Sequence, residues 1–446
     1  MAFENYPVDE TYLNDNSKRN IKVIQAEEEP FGELALAVIP ERDGTLRITF
    51  SYDTSLYGEQ QMQQVADTFE AIVKNMAAMP DQHIGELPLI TAEQQQSLVL
   101  LGTGKHLDVD PSMTFVKAFE QCAKQNPDRL AVADDTDSLT YGELSHRSDM
   151  LAHRLIASGV KPGDFVAVML DRTIAFPLAV IAIHKAGAAY VPIDLEYPEE
   201  RQKYMLDDCE AKVVIDDQFM ADTDFAVSGS PADNIDLSTP DGPAYMIYTS
   251  GSTGKPKGAV LHQAGLWSFI QVIIDMEDLT DSDRIALHRS FSFDAHVEDL
   301  FPVLTFGGSL HIIPSSIRLD LEGVRHFLIE HHITGGGYAT VMGKLLLDTY
   351  DDLPMRFVTL GGERLTAVYS DRITIFNVYG PTECTVDTSF YRIAPGTRLD
   401  SVPIGRPVAN SYYFLTDQAG RLVPRGAVGE LCFAGIQVGR GYWRLP

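Results

Sequence analysis

The residues with the clearest chemical content lie between Tyr245 and Gly258, in the stretch YMIYTSGSTGKPKG. Its first part is apolar and predicts a buried strand, whereas its second part is rich in glycine, hydroxyl side chains and lysine. Glycine lets a backbone turn tightly, and amide, hydroxyl and ammonium donors gathered in one loop bind phosphate oxygens. The spacing differs from the G-x-x-x-x-G-K-[ST] pattern, so we predict a phosphate-binding loop of another kind. A flexible linker, the alternative, would lack the preceding strand.

This loop resembles the signature loop of the adenylate-forming superfamily, which includes acyl-CoA synthetases, luciferases and the adenylation domains of nonribosomal peptide synthetases. Other stretches resemble further motifs of that family and follow in the family's order. They are LTYGEL (139–144), HKAGAAYVPID (184–194), FDAH (293–296), GGE (361–363), NVYGPTE (377–383) and GELCFAGIQVGRGYW (429–443). The sequence departs from the common pattern at His296, where the family usually has serine, and at Gln437 and Gly439.

The resemblance implies an ATP-dependent, AMP-forming reaction in which a substrate carboxylate attacks the α-phosphorus of ATP and releases pyrophosphate. The carboxylate is already an anion, so the protein must position two anions and neutralise charge rather than supply a general base. Matching positions imply Thr382 and Glu383 as catalytic residues, Glu383 as the Mg²⁺ ligand and Tyr379 as the surface for adenine. The nucleotide-binding residues implied are Thr249, Ser250, Gly251, Ser252, Thr253, Gly254, Lys257, Gly361, Gly362, Glu363, Asn377, Tyr379, Gly380 and Thr382.

Asp294 carries the prediction of substrate class, because a carboxylate beside apolar Phe293 is costly to bury unless it meets a cation. In amino-acid-activating members of the family this position binds the substrate α-ammonium group. If the segment is helical, Glu298 lies one turn further on the same face, and the two carboxylates repel unless positive charge lies near them. The substrate-pocket residues implied by the resemblance are Asp294, Ala295, Glu298, Gly337, Thr359, Gly361, Val378, Val386 and Asp387.

The pocket residues predict a basic amino acid. Ala295, Gly337 and Gly361 are expected to leave room for a long side chain, and Glu298 and Asp387 to make its far end anionic. Lysine, ornithine or arginine complements such a pocket, and glutamine is the alternative. Activation of a carboxylic acid by an acyl-CoA synthetase-like enzyme is a second alternative, against which Asp294 speaks.

The first 92 residues predict a separate small α+β unit. Strand-like runs at Glu33–Pro40 and Thr45–Asp53 flank a turn at 41–44, and a helix from Glu59 to Met79 is expected to bury one face. The hydrophobic positions of that face are Met62, Val65, Phe69, Ile72, Val73 and Met76. This region resembles the C-terminal end of a condensation domain, whose HHxxxDG motif it does not contain. His331-His332 is not that motif, and we expect it at a helix end.

Beyond a linker at 93–113, helical and strand patterns alternate, which predicts α/β layers with largely parallel sheets. Thr140 and Glu143 predict a capping box, and Gly159 the end of the helix that follows. The resemblance therefore divides the chain into a condensation-domain tail at 1–92, the linker, and the large core of an adenylation domain at 114–446. The family's C-terminal subdomain, with its catalytic lysine, is expected beyond this region, so the isolated chain is expected to be poorly active.

Composition limits the partners. A net charge of −28 argues against nucleic acids and anionic membranes, and four widely spaced cysteines with an acidic N-terminus favour a reduced, cytoplasmic protein. The resemblance implies ATP and Mg²⁺ as cofactors. It implies as partners an amino acid, the upstream condensation domain and a carrier domain bearing phosphopantetheine.

Overall fold

The computed structural model describes residues 33–40, 45–223, 225, 234–250 and 255–445. The turn predicted at 41–44 and the loop residues Gly251, Ser252, Thr253 and Gly254 lie outside the described residues. The chain divides into two compact units. One runs to Gln94 and includes Val423–Val428, and the other contains the remainder.

The smaller unit contains the predicted hairpin and helix. Strands β1 (Leu34–Pro40) and β2 (Leu46–Tyr52) pair antiparallel, and helix α1 spans Glu59–Ala78. The prediction that α1 buries one whole face is wrong, since Val65, Val73 and Met76 are 40%, 43% and 47% exposed. Within this unit the hairpin covers the part of the face around Phe69, whose ring packs edge-on against Phe50 at 5.8 Å.

The predicted linker is partly helical. Helix α2 spans Ala92–Leu101, and Thr91 begins it with a reciprocal cap. The Thr91 hydroxyl accepts from the Gln94 amide at 3.2 Å, and the Gln94 side chain accepts from the Thr91 amide at 2.8 Å. The T-x-x-Q signal for this capping box was present in the sequence but missed.

A five-stranded sheet in the larger unit carries the predicted phosphate loop. Its order is β7-β5-β6-β8-β9 in the described chain, parallel except for the β8–β9 hairpin. The run Met246, Ile247 and Tyr248 is buried in β8, as predicted. The strands are β5 (Phe165–Val168), β6 (Ala189–Pro192), β7 (Val213–Ile215), β8 (Pro243–Ser250) and β9 (Pro256–His262).

A nine-stranded sheet among the described residues carries the other predicted motifs, in the order β18-β16-β15-β13-β12-β10-β11-β3-β4. Its six central strands, from β15 to β3, run parallel. The bounds are β3 (Leu130–Ala133), β4 (Ser138–Thr140), β10 (Arg284–Leu287), β11 (Ser309–Ile312), β12 (Gly335–Ala339), β13 (Phe357–Gly361), β15 (Thr374–Tyr379), β16 (Ser389–Ile393) and β18 (Arg406–Pro407). Two small antiparallel sheets pair β14 (Thr366–Val368) with β17 (Leu399–Ser401) and β19 (Ser411–Thr416) with β20 (Glu430–Gly435).

Helices separate the parallel strands, which confirms the predicted α/β class. They are α3 (Phe115–Gln125), α4 (Tyr141–Ala157), α5 (Ala175–Lys185), α6 (Glu199–Cys209), α7 (Asp217–Ala221), α8 (Gln263–Glu277), α9 (His296–Leu300), α10 (Leu321–Glu330) and α11 (Thr340–Thr349). The capping box of Thr140 and Glu143 begins α4, and Gly159 after its end has φ +92°, as predicted. His331 caps the end of α10, in agreement with its predicted place. No helix in the described part of the chain is long and apolar enough to cross a membrane.

Candidate active site

The predicted site residues gather at the carboxyl ends of parallel strands β10, β12, β13 and β15. Register places Gly337 beside Thr359, Ala339 beside Gly361, and Leu360 beside Asn377. Ligands of open α/β sheets bind at this edge, because loops diverge from the strand ends and leave a crevice.

A cavity of about 770 Å³ opens at this edge. Many of the predicted residues line it, from both the nucleotide set and the substrate set. They are Asp294, Ala295, Glu298, Gly361, Gly362, Glu363, Asn377, Val378, Tyr379, Gly380, Val386 and Asp387. The structure thus brings together residues that are up to 93 positions apart in the chain (294 to 387).

The segment is helical only from His296, so Asp294 lies in the turn that precedes α9 and the condition for a helical face shared with Glu298 is not met. Its Oδ2 is buried and has no hydrogen-bond partner among the described residues. Burial raises the pKa of Asp294 to about 6, against a hydrogen bond from Thr382 that lowers it. A carboxylate with an open hydrogen-bonding position in a cavity is suited to a cationic group of a ligand.

Further carboxyl groups lie at the cavity, where Glu298 and Asp387 line it and Asp299 is close to both. Glu298, Asp299 and Asp387 are each at most 5% exposed. Burial, followed by the charge of Glu298, raises the pKa of Asp387 well above its usual value. Burial also raises the pKa of Asp299 to about 7, although nearby Arg289 lowers it. One oxygen of each of the three has no hydrogen-bond partner in the described structure.

Arg289, which the sequence analysis missed, lies among these carboxyl groups and lines the cavity. Its Nη1 is ion-paired with Glu298, and its Nη2 donates to the Thr359 hydroxyl at 3.0 Å. The prediction that small residues leave room for the substrate is wrong at Gly337. A Cβ there would lie 2.1 Å from Cζ of Arg289, so a side chain of the protein itself fills that space. Gly361 lines the cavity.

The turn before β16 directs Val386 and Asp387 toward the cavity. Thr385 and Val386 have φ of +58° and +66°, which is uncommon for residues with a side chain. Buried Gln437 braces this turn, because its amide donates to the carbonyl of Asp387 at 3.2 Å and the Thr385 hydroxyl donates to the Gln437 carbonyl at 2.6 Å. Gln437, a departure from the family pattern, is therefore part of the support of the pocket.

Strands β8 and β9 flank the predicted phosphate loop, and between them Ser250 pairs with Pro256 and Thr249 with Lys257. The Lys257 ammonium lies 5.3 Å from the ring of Tyr442. The Tyr442 hydroxyl donates to the Glu383 carboxylate, and the Glu383 carbonyl accepts from the Gly439 amide at 2.7 Å. Tyr442 thus joins the hairpin to Glu383, and its position in the GRGYW motif was the signal available in the sequence.

Other residues that were predicted to bind the nucleotide are held in different ways. The Tyr379 side chain is 45% exposed at the cavity, so a flat face is free for stacking. Gly362 has φ +92°, which a glycine adopts without strain. The Asn377 amide donates to the carbonyl of Pro403 at 2.8 Å, so at this position it holds two segments together.

Comparison with known proteins agrees with this geometry. The AMP-binding enzyme family matches residues 119–443, and the condensation domain family matches residues 1–99. The chain belongs to the AMP-binding enzyme family. Its first part is a condensation-domain segment, and the rest has the fold of a nonribosomal peptide synthetase adenylation domain.

Two curated relatives are much longer than this chain. It is 32% identical to surfactin synthase subunit 1 of Bacillus subtilis (strain 168), over 95% of this chain and 12% of the relative. It is 32% identical to bacitracin synthase 1 of Bacillus licheniformis, over 90% of this chain and 8% of the relative. The chain therefore spans about a tenth of these synthetases.

Solved nonribosomal peptide synthetases share the adenylation fold. FmoA3 bound to α-methyl-L-serine-AMP has a TM-score of 0.83 at 25% identity, over 94% of this chain and 50% of that one. The four-domain synthetase AB3403, bound to AMP and glycine, has a TM-score of 0.77 at 27% identity, over 92% of this chain and 32% of that one.

Proposed function

We propose that this chain activates an amino acid for nonribosomal peptide synthesis. In this reaction a carboxylate oxygen of the amino acid bonds to the α-phosphorus of ATP, and the bond to the bridging β-phosphate oxygen breaks. Aminoacyl-AMP and pyrophosphate are the products. The aminoacyl group then passes to the phosphopantetheine thiol of a carrier domain, next to the upstream condensation domain of the same synthetase.

The observation that carries this proposal concerns Asp294 in the wall of the cavity. Its Oδ2 is buried and has no hydrogen-bond partner among the described residues. It offers an ion pair to the α-ammonium group that every α-amino acid carries. A simple carboxylic acid has no such group and would leave the carboxyl unpaired. The adenylate of an amino acid bound to FmoA3, and AMP with glycine bound to AB3403, support the same substrate class.

The nucleotide would occupy the side of the cavity near Tyr379 and the β8–β9 hairpin. The Tyr379 ring would stack on adenine, Thr382 would donate to the α-phosphate, and Lys257 would attract the terminal phosphates. Glu383 fits Mg²⁺, since this ion is usually held by one or two carboxylates together with phosphates and water. When bound, Mg²⁺ supplies positive charge that offsets the phosphate charge.

For the side chain, we propose a basic amino acid such as lysine, ornithine or arginine. Glu298 and Asp387 line the far end of the cavity, and each has a buried oxygen without a partner in the described structure. A ligand cation would satisfy both. Glutamine is a second candidate, because Arg289 already pairs with Glu298 and thereby lowers the negative charge of this end.

Amino-acid-dependent pyrophosphate exchange tests the proposal. The assay uses the chain fused to the C-terminal subdomain of a related synthetase, with a panel of amino acids and simple carboxylic acids. Asp294→Ala is expected to lower exchange with every amino acid. Glu298→Gln is expected to lower kcat/KM for basic amino acids only. The loss corresponds to about 2–5 kcal/mol of transition-state stabilisation, because the substrate cation loses its partner. Equal losses across the panel for Glu298→Gln would remove the basic class and leave the general reaction standing.

A further inference from the structure

Arg289 lines the proposed amino-acid pocket and is almost fully buried. Only 7% of the residue is exposed, and its guanidinium group contacts three residues of the predicted substrate set. Nη1 pairs with Glu298 and donates to the carbonyl of Ala295 at 3.1 Å, while Nη2 donates to the Thr359 hydroxyl at 3.0 Å. The group that ends the pocket therefore belongs to the protein.

Gly337 makes the space that this guanidinium fills. A Cβ there would lie 2.1 Å from Cζ and 2.4 Å from Nη1 of Arg289, closer than real carbon atoms approach. Asp299 holds the same strand position, since its Oδ1 accepts from the Gly337 amide at 2.8 Å while its Oδ2 lies 4.0 Å from Nη1 of Arg289. Strand β12, helix α9 and Arg289 are thus fitted to one another, and a longer residue at position 337 would displace the guanidinium.

Carboxyl groups outnumber guanidinium groups here. One guanidinium faces Glu298, Asp299 and Asp387. The Oδ2 of Asp299 lies 4.0 Å from Nη1 of Arg289, whereas Glu298 and Asp387 each retain one oxygen without a hydrogen-bond partner among the described residues. A second cation would favour the ionised form of these carboxyl groups and would be stabilised by them. The space beside Gly337 is taken, however, so the second cation must be compact and must approach from the open part of the cavity.

We propose that Arg289 is a specificity-determining residue that occupies the place a substrate guanidinium would take. The pocket then accepts a basic side chain ending in an ammonium group, as in ornithine or lysine, and discriminates against arginine. An ammonium group is a compact charge that fits between Glu298 and Asp387. A guanidinium group is planar and needs the paired acceptors that Arg289 already uses. This inference rests on the proposed amino-acid activation and on its basic class.

Equilibrium binding to the chain itself, in the presence of a non-hydrolysable ATP analogue, tests the inference. The ligands are ornithine, lysine, arginine and glutamine. Wild type is expected to bind ornithine or lysine more tightly than arginine. Arg289→Ala is expected to shift the arginine-to-ornithine affinity ratio toward arginine by about tenfold or more, because substrate guanidinium takes the vacated place. Arg372→Ala, which removes an exposed arginine, should leave the ratio unchanged.

Chemical rescue tests whether the altered binding of Arg289→Ala comes from the missing guanidinium group or from a general change in structure. Millimolar guanidinium chloride should restore ornithine binding to Arg289→Ala, whereas sodium chloride at equal ionic strength should not. If Arg289→Ala is too unstable, Arg289→Gln keeps hydrogen-bond donors near Glu298 while it removes the guanidinium group. Either variant overturns the inference if all four ligands change affinity by the same factor and guanidinium has no effect.

Gly337→Ala supplies an independent test by coupling. In wild type the added methyl group should displace Arg289 and weaken ornithine binding. In the Arg289→Ala background the same methyl group meets empty space and should cost less, so the two changes should be non-additive. Additive effects would contradict the proposed fit between Gly337 and Arg289.

The outcomes also distinguish this inference from the proposed function. Wild type that binds only neutral amino acids would overturn the basic class, and with it the ammonium preference. A gain in arginine binding by Arg289→Ala would still place the guanidinium site at Arg289. Wild type that binds arginine as tightly as ornithine, with no shift in the variant, would overturn the inference and leave the proposed function intact.

Discussion

Glu383 is held by two contacts from the C-terminal segment. Tyr442 donates to its carboxylate, and Gly439 donates to its backbone carbonyl at 2.7 Å. These contacts position the carboxylate, which would supply an anionic oxygen ligand to the proposed Mg²⁺ ion.

Glu383→Gln is expected to raise the Mg²⁺ concentration needed for half-maximal pyrophosphate exchange by roughly an order of magnitude, because a neutral amide replaces an anionic ligand. The fold should be retained, since glutamine still accepts from Tyr442. A titration of Mg²⁺ at fixed ATP measures the effect, with Glu200→Gln on the exposed start of α6 as the control. An unchanged Mg²⁺ dependence would mean that Glu383 is not a ligand.

The sequence predicted which residues meet in the pocket, but it did not predict how their side chains share the space. Motif positions placed Asp294, Val378 and Asp387 in one pocket, and the structure brings them into one cavity. Arg289 escaped prediction because the groups it contacts lie on α9 with its N-terminal turn and on β13, and the sequence around it does not show that α9 folds back onto it or that Thr359 is near. Small residues were interpreted as empty space, whereas Gly337 accommodates a neighbouring side chain.

The sequence predicted the start of a helix accurately where a capping pattern was present. The capping box of Thr140 and Glu143 begins α4 at the predicted residue, and its two hydrogen bonds measure 3.2 and 2.8 Å. The face of α1 was predicted less well, because hydrophobic spacing gives the orientation of a helix but not the area of the surface that covers it. The hairpin tip at 251–254 lies outside the described residues, so its phosphate-binding geometry stays a prediction.

Thr140→Ala is expected to lower the free energy of unfolding by about 1 kcal/mol, because the Glu143 amide loses its acceptor at the first turn of α4. Urea denaturation measures the change. Thr397→Ala, at an exposed turn position, is the matched control and should differ little from wild type. Equal stability of Thr140→Ala and wild type would show that the cap contributes little.

Several buried carboxyl groups of the protein are clustered around the pocket. Burial raises the pKa of Asp294 to about 6 and that of Asp299 to about 7, and raises the pKa of Glu277 and Asp387 well above the usual range. Such groups bind protons more tightly in the folded state than in the unfolded state. Their contribution to stability is fully present below about pH 4 and is lost as the pH rises through their folded pKa values.

The contribution of these carboxyl groups to stability is therefore expected to be lost between pH 5 and pH 7.5, a window set by the pKa values of about 6 and about 7. Buried histidines whose pKa is lowered to about 4, such as His184 and His296, contribute stability that increases over the lower part of this window, so each variant is compared with wild type at every pH. Asp299→Asn should become more stable relative to wild type as the pH rises, since the amide is neutral at every pH and its oxygen can still accept from Gly337. Asp351→Asn, at an exposed position, should keep a constant difference from wild type. A difference in melting temperature between Asp299→Asn and wild type that does not change across this range would contradict the assignment.

Capture of the activated acid identifies directly which class of substrate the chain activates. The chain, fused to the C-terminal subdomain of a related synthetase, is incubated with ATP, Mg²⁺ and hydroxylamine, and with an equimolar mixture of amino acids and simple carboxylic acids. Hydroxylamine converts each adenylate into a hydroxamate, and mass spectrometry identifies which acid was activated. A single dominant hydroxamate, that of ornithine or lysine, is expected, and Asp294→Ala should lower its yield strongly. Hydroxamates formed only from acids without an α-amino group would contradict this expectation.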